Sequence, residues 1–584
     1  MNTMASPNIK AAAAHRYLYQ RFLNGTIGDR SAARLTGRAS ETLFAPRDEG
    51  LDILLINPTI REWSYPNIVP IGQAYVGAVA VMDGHKLHVL DLNAERTEPI
   101  AWSTAEIDAW VSRRITDTLQ SVRPDVIGIG GIITQYRSIR QIARVCREAA
   151  PRTPIILGGG IASSMPEFML QRLPIDIVCQ EEGEITISEV LHRLEIGRSL
   201  RGVGGVAYRE INPDGTVEIV NNGLRPSVSA KDKGLDDLPW PIRSRWPVDE
   251  IYKRNPVGHL NWKNKWTNGA SAEAAKFSAE MVASRGCPYA VTACDYCYAS
   301  YLGAAYRLRS PGEVVDEMEE LAREYGVSYV HFLDDLLMTD HRWAMEFFKE
   351  LERRRAGGTE LEFGATCRTN IIANDVVRAK KEGRPNIIEL GYEVGWRQAG
   401  YGVESASPTI LRNIDKSGQT VDKILVAISE TQRVLGYADC SFMIGSPGES
   451  RETVRETVEV CRQLGLAPEV FFFTTAYPAT KFWKLALDTG LIRKAVTGEK
   501  GPADDDIVEQ YFLKLGEQGE EVRTNFSDLP DEEVVELSWW AVNELGAQNT
   551  ARHPHTRQHP HSGDVEFVSP AAAGAAVAAT RADL

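Results

Sequence analysis

The segment SRGCPYAVTACDYCYAS, residues 284–300, places Cys287, Cys294 and Cys297 in one short loop with the spacing C-x6-C-x2-C. It continues MVAS (281–284), an apolar run of strand length. Three thiolates can hold three irons of a 4Fe–4S cluster and leave the fourth iron open to a ligand. A zinc site would need a fourth ligand, and none stands at the usual Cys/His spacings. Structural cysteines rarely crowd three into a Gly/Pro loop. The spacing favours iron–sulfur over zinc or inert thiols, without excluding either.

Downstream, apolar runs of strand length recur at SYVHFL (328–333), LEFGAT (361–366), AGYGVE (399–404), DCSFMI (439–444) and EVFFFTT (469–475), with helical segments between them. RSPGEVVDEMEELAREYG predicts a helix opened by a capping box, with Ser310 as N-cap, Pro311 in the first turn and Glu313 three residues on. With MVAS this makes six strand–helix repeats, the pattern of a partial (β/α)6 barrel spanning 281–490. Such barrels gather ligands at the C-terminal ends of their strands.

Upstream, LDILLIN (51–57), KLHVLDL (86–92), DVIGIGG (125–131), PIILGG (154–159) and IDIVCQ (175–180) alternate with helical stretches. In SIRQIARVCREAA (138–150), Ile139, Ile142, Ala143 and Cys146 share one face. The pattern is that of an open parallel α/β sheet of about five strands, Rossmann-like, over 51–196. Ligands of such sheets sit beyond the strand C-termini. Those ends carry NPTIREW (57–63), GIITQ (131–135), GGGIASS (158–164) and QEEGE (180–184), where glycines permit close backbone approach. Residues 1–50 read as a lead-in and 197–280 as a linker. The linker contains a hairpin around GVAYREINPDGTVEIV, with its turn at Pro-Asp-Gly. Residues 491–550 read as acidic helices. The tail from 551, with His553, His555, His559 and His561, reads as disordered.

Lys and Arg number 65 against 79 Asp and Glu, a net charge of −14, which disfavours nucleic acid and anionic membranes as partners. No run approaches the roughly 18–20 apolar residues of a membrane span, and MNTMASPNIKAAAAHRYLYQ lacks the apolar stretch of a signal peptide. A cytoplasmic protein is the expectation. Eight cysteines in 584 residues are too few for a disulfide scaffold.

The loop SRGCPY…CDYC resembles the cluster loop of the radical S-adenosylmethionine superfamily, in its cobalamin-dependent branch. The usual spacing there is C-x3-C-x2-C, so this loop carries three extra residues. The resemblance implies a 4Fe–4S cluster on Cys287, Cys294 and Cys297, with S-adenosylmethionine at its open iron. It assigns Tyr296 to the adenine. Asp334 and Asp335 in HFLDDLLM go to the methionyl amino group, and Arg368 in ATCRTN to the carboxylate. Glu404 in GYGVESASPTILRNIDKS goes to the ribose. Gly445 and Ser446 in MIGSPGES go to a close backbone approach to the adenosine.

In the first domain, LLINPTIREWSYPNIVPIG, ILGGGIASSMPE and EEGE resemble a cobalamin-binding domain. The implied contacts are Pro58, Thr59, Arg61, Thr134, Gly158, Gly159, Gly160, Glu182 and Gly183. The D-x-H-x-x-G motif that supplies a histidine to cobalt is absent, and His85 and His88 are expected at a strand edge. The activity implied is methyl transfer from methylcobalamin to an unactivated carbon, or to phosphinate phosphorus, of a small natural-product intermediate such as those of antibiotic biosynthesis. The partner implied is a low-potential electron donor of flavodoxin or ferredoxin type. A cyclase or rearrangement enzyme with the same cofactors is the alternative within the class. A zinc- and cobalamin-binding sensor without catalysis is the alternative outside it.

Overall fold

The computed structural model describes residues 50–59, 68–95, 104–212, 214–228, 234–254, 277–290, 294–298, 305–358, 360–468, 470–515, 523–546, 556–558 and 565–567. The lead-in before Gly50, Arg61 with the rest of IREW, Trp262, Trp266 and the four tail histidines lie outside them. The chain forms two compact units. One comprises residues up to Pro288 with Leu302–Ala365 and Phe512–Leu515; the other comprises Tyr289–Tyr301, Thr366–Tyr511 and Gly516 onward.

In the first unit, β1 (Asp52–Asn57), β2 (Lys86–Asp91), β3 (Val126–Gly130), β4 (Ile155–Gly158) and β5 (Ile177–Cys179) are parallel. Helices α1 (Ile71–Met82), α2 (Thr104–Val122), α3 (Tyr136–Ala149), α4 (Gly160–Ser164), α5 (Pro166–Arg172) and α6 (Gly183–Glu195) connect and follow them. The apolar runs form strands because both sheet faces are covered: Leu54, Ile56, Ile127, Ile155 and Leu157 are fully buried. The face of α3 read from sequence is buried at Ile139, Ile142, Ala143 and Cys146.

The sheet does not stop at five strands. The hairpin β6 (Val206–Ile211) and β7 (Val217–Asn221), expected in a linker, extends it to seven in the order β2-β1-β3-β4-β5-β6-β7. Ile177 faces Tyr208 across an antiparallel pair, so the hairpin covers what would be an open β5 edge.

The first barrel strand is β8 (Ser278–Met281), three residues ahead of MVAS. A short antiparallel pair follows, β9 (Ser284–Arg285) with β10 (Arg307–Leu308), in which Arg307 faces Arg285. Helix α7 (Pro311–Tyr325) starts at Ser310, but the Ser310 side chain makes no cap hydrogen bond, so the capping box does not form. The Ser310 backbone N–H instead donates to Asp236 at 2.9 Å. Next come β11 (Tyr329–Phe332), α8 (His341–Arg355) and β12 (Glu362–Cys367), which runs from the first unit into the second.

The second unit holds α9 (Thr369–Glu382), α10 (Ile387–Glu393), β13 (Trp396–Glu404), α11 (Pro408–Asn413), α12 (Val421–Leu435), β14 (Asp439–Ile444), α13 (Arg451–Gln463) and β15 (Phe471–Phe473). The six barrel strands make one parallel half-barrel sheet, ordered β15-β14-β13-β12-β11-β8. The helices Lys481–Asp488, Leu491–Thr497, Asp505–Lys514 and Asp531–Glu544 complete the acidic region. Within the tail, Thr556–Gln558 pairs antiparallel with Val565–Phe567. Among the described residues no helix is long and apolar enough to cross a membrane.

Candidate active site

All eight cysteines are free of disulfides. Cys146, Cys179, Cys367 and Cys461 are buried, and Cys440 is half-buried on β14. Burial pushes the thiols of Cys146, Cys179 and Cys461 up to about 12 and raises those of Cys367 and Cys440 as well. Cys287, Cys294 and Cys297 alone are half-buried in a loop. Cys287 ends the first unit's part of that loop, while Cys294 and Cys297 belong to the second. The Cys297 N–H donates to the Cys294 carbonyl at 3.0 Å, a tight turn that sets Tyr296 between two sulfurs. Among the described residues no group of three or more His, Cys, Asp or Glu side chains forms a metal site. By donor type and accessibility the three loop sulfurs fit a cluster: soft sulfur ligands with access to iron, in contrast to the four buried thiols.

Tyr296 is braced from the end of β13. Its hydroxyl donates to Glu404 Oε1 at 2.9 Å, and Lys416 Nζ donates to that hydroxyl at 2.9 Å and to Glu404 Oε1 at 2.8 Å. Burial, the Glu404 carboxylate and the two cysteine sulfurs hold the phenol well above its ordinary pKa, so it remains a donor. The ring packs at 6.5 Å from Phe482, in a cluster with Ile410, Ile414 and Phe526.

Glu404 itself has φ +65, in the left-handed region, where β13 breaks register with β14 between Gly402 and Glu404. Such backbone costs roughly 1–3 kcal/mol and persists only when its surroundings hold it; here the ion pair with Lys416 does so. A Cβ on Gly402 would lie 2.5 Å from Glu404 Oε1, so a side chain there would push the carboxylate out of its place beside Lys416. The second oxygen of Glu404 has no hydrogen bond among the described residues. Lys416 stood in the segment read from sequence but was given no role. A lysine between Asp415 and Ser417 reads as a solvated charge, and only the fold shows it 8% exposed.

Arg368, at the end of β12, is buried against Tyr289, with its guanidinium carbon 3.8 Å from the ring centroid. It donates to the Ser417 carbonyl at 2.7 Å, and its Nε has no partner. Asn370 donates to the Tyr289 hydroxyl at 2.9 Å. Ser446 is buried and meets Thr474 at 3.0 Å, and Gly445 has φ +86, closing the turn after β14. Nearby Glu449, also missed in the sequence, is buried with Oε1 bound to Thr453 at 2.7 Å and Oε2 unpartnered. Burial raises its carboxyl to about 7.

In the first unit the two aspartates of HFLDDLLM part company. Asp334 is buried and accepts the Ala283 N–H at 3.1 Å and both the N–H and hydroxyl of Ser284. Its carboxyl, raised by burial to about 6, is committed to fixing the strand end that leads to Cys287. Asp335, the next residue, is exposed.

At the C-terminal ends of the first sheet, Thr59 is buried, with its hydroxyl 3.5 Å from Ser138 and its carbonyl accepting from Gln135 at 3.3 Å. Thr134 sits half-buried on a one-turn 3-10 helix (Ile133–Gln135). Gly159 has φ +89, and a Cβ there would lie 2.4 Å from the Gly131 carbonyl oxygen; a Cβ on Gly158 would meet nothing within 4 Å. Gly160 opens α4. Gln73, unremarked in the sequence, donates to the Ile56 carbonyl at 3.3 Å, while its buried Oε1 has no partner.

Glu182 spends its carboxylate on Arg307, and Gly183 opens α6 against Val76. His85 accepts the Leu51 N–H through Nδ1, and burial lowers its pKa to about 4, so it is neutral. His88 pairs with Asp52 at 2.9 Å on the edge strand β2.

Residues 62–191 match the B12 binding domain and residues 281–461 the Radical SAM superfamily. The chain therefore belongs to the cobalamin-dependent radical S-adenosylmethionine enzymes. Cobalamin, S-adenosylmethionine and a 4Fe–4S cluster are the cofactors of its two domains. It is 28% identical to an uncharacterised methyltransferase of Pyrococcus horikoshii, over 72% of this chain and 79% of that protein. It is 23% identical to the cytidylyl-2-hydroxyethylphosphonate methyltransferase of Streptomyces wedmorensis, over 75% and 82%. Its fold is similar to that of the radical S-adenosylmethionine methyltransferase TsrM of Kitasatospora setae, solved with cobalamin and a 4Fe–4S cluster. The TM-score is 0.59 at 18% identity, covering 84% of this chain and 91% of that one.

Proposed function

We propose that the protein methylates an unactivated carbon, or a phosphinate phosphorus, of a small biosynthetic intermediate. The observation that carries the reading is the Tyr296–Glu404–Lys416 brace, which couples the cysteine loop to a barrel strand end in a chain that also has a B12 domain. When bound, the cluster with S-adenosylmethionine supplies radical chemistry and cobalamin supplies the methyl group.

The chain's own residues bind and orient. Glu404 Oε2 is available to the two ribose hydroxyls, while Lys416 keeps the carboxylate aimed. Tyr296 offers an apolar ring held by its hydroxyl. Arg368, stacked on Tyr289 and with nitrogen donors to spare, suits the methionyl carboxylate. Asp335, not the committed Asp334, suits the amino group. Gly445 and Ser446 line a turn whose backbone can approach a nucleoside. On the first sheet Thr59, Thr134 and Gly158–Gly160 suit a large ligand lying along strand ends. Neither His85 nor His88 stands there, which supports cobalamin held without a protein histidine. A low-potential flavodoxin or ferredoxin in the cytoplasm is the reductant this reading requires.

The test is anaerobic reconstitution with iron, sulfide and hydroxocobalamin, incubation with S-adenosylmethionine and a low-potential reductant, and mass spectrometry of 5′-deoxyadenosine and S-adenosylhomocysteine. Both products are expected, and Cys294→Ala abolishes the first. Deoxyadenosine without S-adenosylhomocysteine overturns methylation in favour of cyclisation or rearrangement. Zinc in place of iron after reconstitution overturns the enzyme reading.

A further inference from the structure

The loop that carries all three cysteines leaves and re-enters the fold through one short ladder, β9 with β10. That ladder sets two arginines, Arg285 and Arg307, directly opposite each other. Like charges in that position repel, and both side chains are largely buried. Each is answered by a glutamate from the segment after β5. Arg307 is bidentate on Glu182, at 2.5 Å and 3.1 Å, and also donates to the Val228 carbonyl at 2.9 Å. Arg285 is bidentate on Glu184, one contact being 3.2 Å, and lies 3.6 Å from Glu182. Its guanidinium also sits 5.1 Å from the Tyr75 ring centroid, on α1. Glu182 and Glu184 flank Gly183, the first residue of α6, so the anions stand where a helix N-terminus favours them.

We propose that Glu182 and Glu184 clamp the root of the cysteine loop, so that the strand-end segment of the B12 domain positions the cluster. They are positioning residues: neither has a free carboxylate to offer a ligand, and each acts through an arginine. Removing one partner strands a buried cation, which costs far more than a surface pair would. The clamp rests on the cofactor reading only for what it positions; the ion pairs themselves do not depend on it.

The experiment is hydrogen exchange on the reconstituted full chain, with and without hydroxocobalamin, for the wild type, Glu184→Gln, Arg285→Gln and the double variant. Peptides covering 284–290 and 305–309 are expected to exchange about tenfold faster in either single variant. The double variant is expected to be no faster than the singles, since the two residues act as one pair. A purely structural pair would not alter the cluster's response to cobalamin. The electron paramagnetic resonance spectrum of the reduced cluster is therefore read as well. It is expected to shift on adding cobalamin to the wild type and not in the variants. Wild-type exchange rates in the singles, additive effects in the double variant, or the same cobalamin-induced shift in all four proteins overturns the clamp. A wild type that binds neither iron nor cobalamin overturns the cofactor reading instead, and the exchange rates then decide the ion pairs alone.

Discussion

At the end of β13 a charged side chain fills the space that a parallel strand leaves, and at the end of β4 Gly158 leaves it open. Glu404 is held in left-handed backbone by Lys416 and Tyr296. A Cβ on Gly158 would meet nothing within 4 Å, while Gly159 packs against the Gly131 backbone. The first arrangement suits a small polar ligand whose hydroxyl and carboxylate groups need directed partners. The second suits a broad ligand held mostly by shape. Preorganised charge and cleared backbone fail in different ways, and substitutions can tell them apart.

The largest effect is expected at Gly159→Ala. Its Cβ would lie 2.4 Å from the Gly131 carbonyl oxygen, a backbone atom that cannot swing aside, and φ is +89. A loss of about 4 kcal/mol in urea unfolding is expected. A loss under about 1 kcal/mol would show that β3 and β4 can part, and that this end is plastic.

Glu449 tests the opposite region. Unlike Glu404 it has no cation beside it among the described residues, and burial raises its carboxyl from an ordinary value to about 7. The protonated form is favoured in the folded state. The group's contribution to stability is therefore fully present below the unfolded pKa and lost as pH rises through about 7. Relative to Glu449→Gln, the wild type should lose about 3 kcal/mol between pH 4.5 and pH 8. A pH-independent difference would mean that Oε2 finds a partner or water.

The brace comes next. Glu404→Gln and Lys416→Met are each expected to weaken S-adenosylmethionine binding about tenfold in equilibrium titration. The double variant should add little, because the two side chains form one unit. Full additivity would mean that Lys416 reaches the ligand by itself.

What the sequence made legible follows the same division. The strands of both sheets could be read because burial on both faces forces near-continuous Ile, Leu and Val. β8 could not, since SAEM carries Ser278 and Glu280, both buried, the Glu280 carbonyl accepting from Arg243. The hairpin at Pro-Asp-Gly was visible, but its pairing with β5 is a long-range choice that local pattern does not encode. The Ser310 capping box failed because the pattern gives residue types, not the rotamer. Cys287, Cys294, Cys297, Tyr296, Arg368 and Glu404 stood out by type and order, and the structure joins Tyr296 to Glu404. Lys416, Gln73 and the Glu182 and Glu184 ion pairs were not, because a charged or amide residue looks the same in sequence whether solvated or buried.

Gly158→Ala is the smallest expected effect on the fold and the sharpest on the comparison. A Cβ there meets no atom within 4 Å, and the backbone needs no left-handed angle. Stability should change by less than about 0.5 kcal/mol, because none of the described residues occupies the space. If the strand ends are cleared for cobalamin, the same methyl intrudes on the ligand, and hydroxocobalamin affinity, read from its visible absorption, should fall several-fold. A variant that keeps both stability and affinity would move the ligand away from β4 and leave Gly158 as a turn residue only. A variant that loses stability instead would mean that the space closes in solution, and the cleared end would then be no site at all.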